Sequence, residues 1–300
     1  MTSGVQNTVL VIGAGLMGTG IAHGFAAAGG KVLLCDPKAG AAEKAAVEIG
    51  TILDGAVKLG KLGDTQAQDA KAAIEIVPDL SAAAARAGLV VETASENMAI
   101  KLQIFETVCA AMPAGAILAT NTSALSVTEL AATTPDPGRV AGMHFFNPVH
   151  KMKLVELVRG LQTAPETIEL LRSWSDRMSK QSIVVSEAPG FTTSRMSSLA
   201  GNEAMYMLES GVASAEDIDT AMRLGFGHPM GPLELGDLTG WDTRFAVIQY
   251  LHRTLGEKFR PCPLIEKMVK SGRYGRKVGH GVYKYDAQGR RIPGSGLSPR

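Results

Sequence analysis

The chain has 300 residues, of which 45% are hydrophobic, and 30 Lys and Arg stand against 29 Asp and Glu for a formal net charge of +1. That length and apolar share suit two domains of ordinary size with at least one substantial core, and the balanced charge supplies no global field toward nucleic acid. The 3 cysteines (Cys35, Cys109 and Cys262) are odd in number and widely spaced, and the 6 histidines show no metal-ligand spacing, which argues against a disulfide framework and a structural zinc site.

The polar opening, residues 1–8, is too short and uncharged for a signal peptide, and no apolar run reaches a membrane span. A cytoplasmic protein with no membrane partner and no nucleic-acid partner is expected. Residues 8–12 then read as a strand, residues 21–28 as a helix and residues 31–36 as a second strand, which is a βαβ unit. Between the first strand and the helix, Gly13-Ala14-Gly15-Leu16-Met17-Gly18 fits G-x-G-x-x-G. The first glycine permits a tight turn, the second lets backbone approach a pyrophosphate, and the third lets helix and sheet pack closely. Asp36 closes the second strand, where a carboxylate can accept from ribose hydroxyls and repel a 2′-phosphate, so NAD is favoured over NADP; FAD fits the glycine motif equally well.

Residues 39–73 are alanine-rich and broken at residues 60–64, a pattern for two helices inserted between the second and third strands. Lys58 and Lys61 at the tip of this arm either face solvent or meet a phosphate-bearing ligand. Apolar runs recur at residues 89–91, 116–119, 140–146, 154–158 and 182–185, with helical stretches between most of them. The connection between residues 149 and 158 is too short for a crossover helix, so the last strands turn back antiparallel and the sheet is mixed.

Two of these apolar strands carry a titratable residue. His144 shares a strand face with Val140, Gly142 and Phe146, and Glu156 falls between Leu154 and Val158. A carboxylate there without a partner would cost several kcal/mol, on the order of the transfer of any buried charge, and an imidazole is a natural partner. On these segments alone, a site and a hydrogen-bonded core pair are equally good readings. After residue 188 the pattern changes to helices alone, at residues 192–210, 214–224, 242–255 and 263–269. The expected organisation is an α/β Rossmann-type dinucleotide-binding domain over residues 1–188 with an inserted helical arm, followed by an all-α domain over residues 189–300 whose apolar faces suit dimerisation.

Together these segments resemble the L-3-hydroxyacyl-CoA dehydrogenase family over nearly the whole length. The resemblance rests on residues 13–18 with Asp36, on Glu96 and Lys101, on Thr120-Asn121-Thr122-Ser123, on His144-Phe145-Phe146-Asn147-Pro148 with Glu156, and on Pro189-Gly190-Phe191, residues 227–232 and residues 275–283. It implies an NAD cofactor, an acyl-CoA substrate, a homodimer, and a helical C-terminal domain covering the acyl pocket. It also implies His144 as the base that takes the 3-hydroxyl proton, Glu156 as the carboxylate that orients the ring, and Ser123 as a hydroxyl near both substrate and nicotinamide. Ala94, Glu96, Lys101 and Asn147 belong by resemblance to the cofactor environment, and the arm with Lys58 and Lys61 to the CoA moiety. One departure stands out: the family commonly has asparagine before the arginine that follows Pro-Gly-Phe, whereas Ser194 precedes Arg195 here, so Ser194 is carried only as a substrate contact. Alternatives are a dehydrogenase of a free 3-hydroxy acid, against which the arm speaks, and a non-catalytic dinucleotide-binding relative.

Overall fold

Strand β1 (Thr8–Ile12) is buried at every position, as a central strand of a parallel sheet must be, and its β-branched and leucine side chains pack on both faces. The computed structural model to which it belongs describes residues 7–298. The expected lack of a signal peptide falls mostly on residues 1–6, outside the described residues. From β1 the chain enters α1 (Leu16–Ala27), then β2 (Lys31–Cys35), the arm helices α2 (Ala41–Lys58) and α3 (Asp64–Ala72), and a short β3 (Ile74–Ile76). There follow α4 (Leu80–Ala84), β4 (Leu89–Glu92), α5 (Met98–Ala111), β5 (Ile117–Thr120), α6 (Val127–Ala131), β6 (Val140–Phe145), β7 (Leu154–Arg159), α7 (Pro165–Arg177) and β8 (Gln181–Ser186).

The eight strands form one sheet in the order β3-β2-β1-β4-β5-β6-β7-β8. Neighbours from β3 through β6 run parallel, β6 and β7 pair antiparallel, and β8 runs parallel to β7, so the mixed sheet has the expected reversal. Reversing at the edge of a doubly wound sheet puts the start of β7 beside the end of β6. Phe25 and Trp174 on flanking helices meet edge to face at 5.1 Å and help close the core under the sheet.

Two local departures have physical causes. Helix α1 starts at Leu16, five residues ahead of the apolar periodicity, because Gly18 and Gly20 in its first turns carry no side chain to show a period. A Cβ on Gly18 would lie 1.8 Å from the Gly13 carbonyl, and one on Gly20 would lie 2.8 Å from Val149, so close packing selects glycine there. Strand β3 is only three residues long and partly exposed, too brief for alternation to show.

The chain divides into two compact units between Ala188 and Pro189. The second contains α8 (Thr193–Glu209), α9 (Ala215–Gly225), α10 (Pro232–Thr239), α11 (Trp241–Leu255) and α12 (Pro263–Lys270), packed around Trp241, Met205, Leu233 and Tyr283. Its tail has one short 3₁₀ turn, Arg276–Val278, and is otherwise held by isolated bridges between Gly275 and His280, His280 and Lys284, and Tyr285 and Arg291. The tail is tied down by Asp237, which accepts from the backbone N–H groups of Val282 and Tyr283, both at 2.8 Å, and from Trp241 Nε1 at 2.7 Å. Burial pushes the Asp237 carboxyl up from its ordinary range while these donors pull it back. Among the described residues no helix is long and apolar enough to cross a membrane, and no group of three or more His, Cys, Asp or Glu could hold a metal.

Candidate active site

Ligands of open α/β sheets gather at the carboxyl ends of the parallel strands. There the chain places the glycine turn after β1, Asp36 after β2, Ala94 and Glu96 after β4, Asn121 to Ser123 after β5, and His144 next to the last residue of β6. Glu156 joins them from β7 because that strand runs the other way.

Gly13 takes a φ of +99°, a conformation open to glycine, and donates its N–H to the Cys35 carbonyl at 2.8 Å. Asp36 Oδ2 accepts from Ala14 N at 2.7 Å and Oδ1 from Lys38 N at 2.8 Å, which pins the glycine turn to the end of β2. Each carboxylate oxygen offers about two acceptor positions, so capacity remains for ribose hydroxyls. A Cβ on Gly15 would meet nothing within 4 Å, and α1 opens there with no side-chain cap, so its first N–H groups are directed at an open approach. Leu16 is largely exposed at that opening, whereas Met17 packs against the core. These residues fit a dinucleotide: an open backbone face for the pyrophosphate and an acid at the ribose position.

Behind the β4 end lies a buried ion pair. Lys101, on the first turn of α5 and 1% exposed, donates from Nζ to both oxygens of Glu92, which is fully buried, at 2.8 Å each. Glu92 also accepts from Thr120 Oγ1 at 2.7 Å and Ala94 N at 2.6 Å. Lys101 therefore fixes the chain at Ala94 from below rather than presenting its amine to solvent. Glu96 does a second job: one of its oxygens accepts from Thr122 Oγ1 at 2.7 Å, Ser123 N at 2.8 Å, Ser123 Oγ at 3.0 Å and Ala124 N at 3.2 Å. The turn that carries Ser123 is thus wrapped around a carboxylate.

His144 and Glu156 are direct cross-strand partners in the β6–β7 register. His144 Nδ1 lies 2.8 Å from Glu156 Oε2, with Glu156 fully buried. A carboxylate accepts only, so Nδ1 carries the hydrogen, and in the neutral ring the lone pair lies on Nε2. The Phe146 ring stands 4.6 Å from the imidazole, centroid to centroid, and limits its other conformations. Asn121 Oδ1 accepts from Phe145 N at 2.8 Å, so the β5 end holds the β6 end in place. Such an arrangement can hold and move one proton at Nε2.

Asn147, exposed, directly follows this segment, with a cis bond to Pro148. Lys58 and Lys61 are both exposed on the arm, and Ser194 is half-buried on the first turn of α8, where its carbonyl accepts from Ser197 Oγ at 3.4 Å. Sequence reasoning gave no role to Glu92, Thr120, Thr122 or Asn121. Glu92 had a visible signal: a carboxylate ending the apolar run Leu89-Val90-Val91 needs a cation, and Lys101 lies nine residues on.

The family model described as 3-hydroxyacyl-CoA dehydrogenase, NAD binding domain, matches residues 8–188, and the 3-hydroxyacyl-CoA dehydrogenase, C-terminal domain, matches residues 190–285. The chain is 43% identical over 287 residues to the 3-hydroxybutyryl-CoA dehydrogenase of Bradyrhizobium diazoefficiens, covering 94% of this chain and 96% of the relative. With that of Clostridioides difficile it shares 40% over 283 residues, 92% of this chain and 98% of the relative. Among solved structures, the (S)-3-hydroxybutyryl-CoA dehydrogenase of Ralstonia eutropha superposes with a TM-score of 0.89 at 40% identity, over 94% of this chain and 99% of that one.

Proposed function

The chain belongs to the 3-hydroxyacyl-CoA dehydrogenase family, and from that premise we propose that it interconverts an (S)-3-hydroxyacyl-CoA and its 3-oxoacyl-CoA with His144 as the acid and base. It is an oxidoreductase, its cofactor is NAD, and its substrate is an acyl-CoA. The observation that carries the residue assignment is the 2.8 Å bond from His144 Nδ1 to the buried Glu156 at the carboxyl edge of a sheet that also bears the glycine turn.

Gly13, Gly15, Leu16, Met17 and Gly18 hold the pyrophosphate end of the cofactor and Asp36 its ribose, with Ala94 and Asn147 lining the same side. When bound, NAD would supply the acceptor or donor for the hydride exchanged with C3 of the substrate. His144 Nε2 receives the proton of the 3-hydroxyl in oxidation and gives it back to the oxygen in reduction. Glu156 keeps the ring in the Nδ1–H tautomer and offsets the charge of the imidazolium, as the carboxylate of a catalytic triad does. On turning its hydroxyl hydrogen away from Glu96, Ser123 donates to the same oxygen as charge develops there, and Glu96 and Lys101 position its turn and the Ala94 segment. Lys58 and Lys61 meet the CoA moiety, and Ser194 contacts the acyl part. Short acyl chains are the proposed preference, supported by the relatives' four-carbon substrates as their names give them.

The test is NADH consumption with acetoacetyl-CoA, free acetoacetate and longer 3-oxoacyl-CoAs, repeated with NADPH. Acetoacetyl-CoA should be the fastest substrate and NADH the preferred reductant; turnover of the free acid alone, or of none of them, would sink this reading.

A homodimer is proposed as well. Its support is the apolar surface of the second unit, where Met196, Leu224 and Phe226 are each more than half exposed. Sedimentation at the mass of a single chain would oppose it. A cytoplasmic location is part of the same proposal and is supported by three cysteines that are all free thiols.

A further inference from the structure

In the first unit, a cleft of about 200 Å³ is lined by His23 of α1, by Val149 and His150 of the β6–β7 loop, and by Arg177 and Lys180 around the end of α7. None of the residues lining it carries a carboxylate, so the charge there is of one sign. The two imidazoles meet edge to face with centroids 6.2 Å apart. His23 Nδ1 is buried and has no hydrogen-bond partner among the described residues, a condition that costs about 1–3 kcal/mol in an empty site. Lys180 is itself buried and donates from Nζ to the carbonyls of Val149 and Met152, both at 2.6 Å, so it staples down the loop that carries His150. Arg177 stacks on Trp174 and donates to Asn7 Oδ1 and the Ala28 carbonyl, which fixes its charge at the rim.

Cations are crowded here, and no carboxylate among the lining residues neutralises them. Burial, then His150 and Lys180, push the His23 ring down to about 4, and burial with Lys151, Lys180 and Lys61 lowers His150. Both rings are therefore neutral at pH 7, each with one N–H to donate. Lys61, at the tip of the α2–α3 arm, is the weakest of the charges that lower His150. A multiply charged oxyanion answers all three features: it fits the space, accepts from imidazole N–H groups, and screens the surrounding cations.

We propose that this cleft is a phosphate-binding site, in which His23 and His150 donate to the phosphate oxygens while Lys180, Arg177, Lys151 and Lys61 supply the charge. The phosphate is either that of the substrate's CoA or a free one, and only the first source rests on the acyl-CoA reading. Occupancy then braces the β6–β7 loop, which joins the strand of His144 to the strand of Glu156.

Two measurements on the intact protein test this. The imidazole Cε1–H resonances are titrated between pH 3.5 and 8 with and without inorganic phosphate, with His23→Gln and His150→Gln used for assignment. Phosphate should raise the titration midpoints of both histidines, since an anion favours the charged ring, and His150→Gln should weaken the effect at His23. In parallel, KM is compared for acetoacetyl-CoA and for acetoacetyl-dephospho-CoA, which lacks the 3′-phosphate. If the substrate supplies the group, His150→Gln raises KM for the first by about tenfold, as loss of one charge-assisted hydrogen bond would, and leaves KM for the second as in the wild type. Phosphate-dependent histidine shifts with no discrimination between the two substrates would support the site with a free phosphate as its occupant. Midpoints that ignore phosphate, together with equal KM changes for both substrates, would overturn it. Failure of the acyl-CoA reading shows separately, as no wild-type turnover of acetoacetyl-CoA.

Discussion

Replacing His144 by glutamine is expected to lower kcat by about 10²- to 10⁴-fold while NADH affinity stays close to that of the wild type. Glutamine keeps the volume and can still meet Glu156, but it cannot take a proton near neutral pH. The imidazole occupies a defined slot: its Nδ1 is held at 2.8 Å by Glu156, and its ring lies against Phe146. The groups proposed to hold the cofactor after β1, β2 and β4 are independent of it in the chain and in the sheet, which is why NADH binding should survive. Glu156→Gln is the companion variant. It retains a hydrogen-bond acceptor for Nδ1 but removes the charge that offsets the imidazolium. Protonation of the ring then becomes harder, so the acid limb of kcat/KM for alcohol oxidation moves to lower pH, and the reduction, which needs the protonated ring, slows at neutral pH. Steady-state kinetics in both directions between pH 5.5 and 9 give the readout. Near-normal turnover by His144→Gln would remove this residue from the acid–base role, and an unchanged profile for Glu156→Gln would reduce its carboxylate to a structural one.

Lys101→Met is expected to destabilise the first unit by about 3–5 kcal/mol, because it strands the buried Glu92 carboxylate without its counter-charge. The two remaining donors to Glu92, Thr120 Oγ1 and Ala94 N, are neutral and cannot replace an ammonium that touches both oxygens. Neutralising the acid as well should repair most of the damage, so Glu92→Gln with Lys101→Met is predicted to recover more than half of the lost stability. Urea unfolding followed by circular dichroism measures both variants. A single variant within about 0.5 kcal/mol of the wild type would mean that the pair does not support the β4 end, since ordinary surface changes fall in that range. Because Ala94 and Glu96 lie between the two charges in the chain, NADH affinity should fall along with stability in the single variant and return in the double one.

Much of the site was legible in the residues. The glycine run with Asp36 pointed to a dinucleotide because its chemistry is local: a turn, a helix start and a strand end within two dozen residues. His144 and Glu156 stood out as polar residues in apolar strands, yet the strands alone could not choose between a core pair and a site. Glu96 and Lys101 came in through family resemblance as cofactor neighbours, whereas in the fold Glu96 accepts four hydrogen bonds from the Ser123 turn and Lys101 is sealed against Glu92. Neither contact has a sequence period, because each joins separate strand ends. His23 and His150, more than a hundred residues apart, left no pattern at all.

By itself, then, the sequence determined the βαβ start, the inserted arm, the change to helices after Ala188 and the kinds of groups available for chemistry, since each follows from side chains within one or two turns of backbone. The tertiary structure alone decided the pairings: His144 opposite Glu156, Lys101 under Glu92, Glu96 inside the Ser123 turn, His23 beside His150. Strand order and register bring residues distant in the chain within a few ångströms of each other, and a carboxylate, an ammonium or an imidazole acquires its chemical role from the charge placed at that distance.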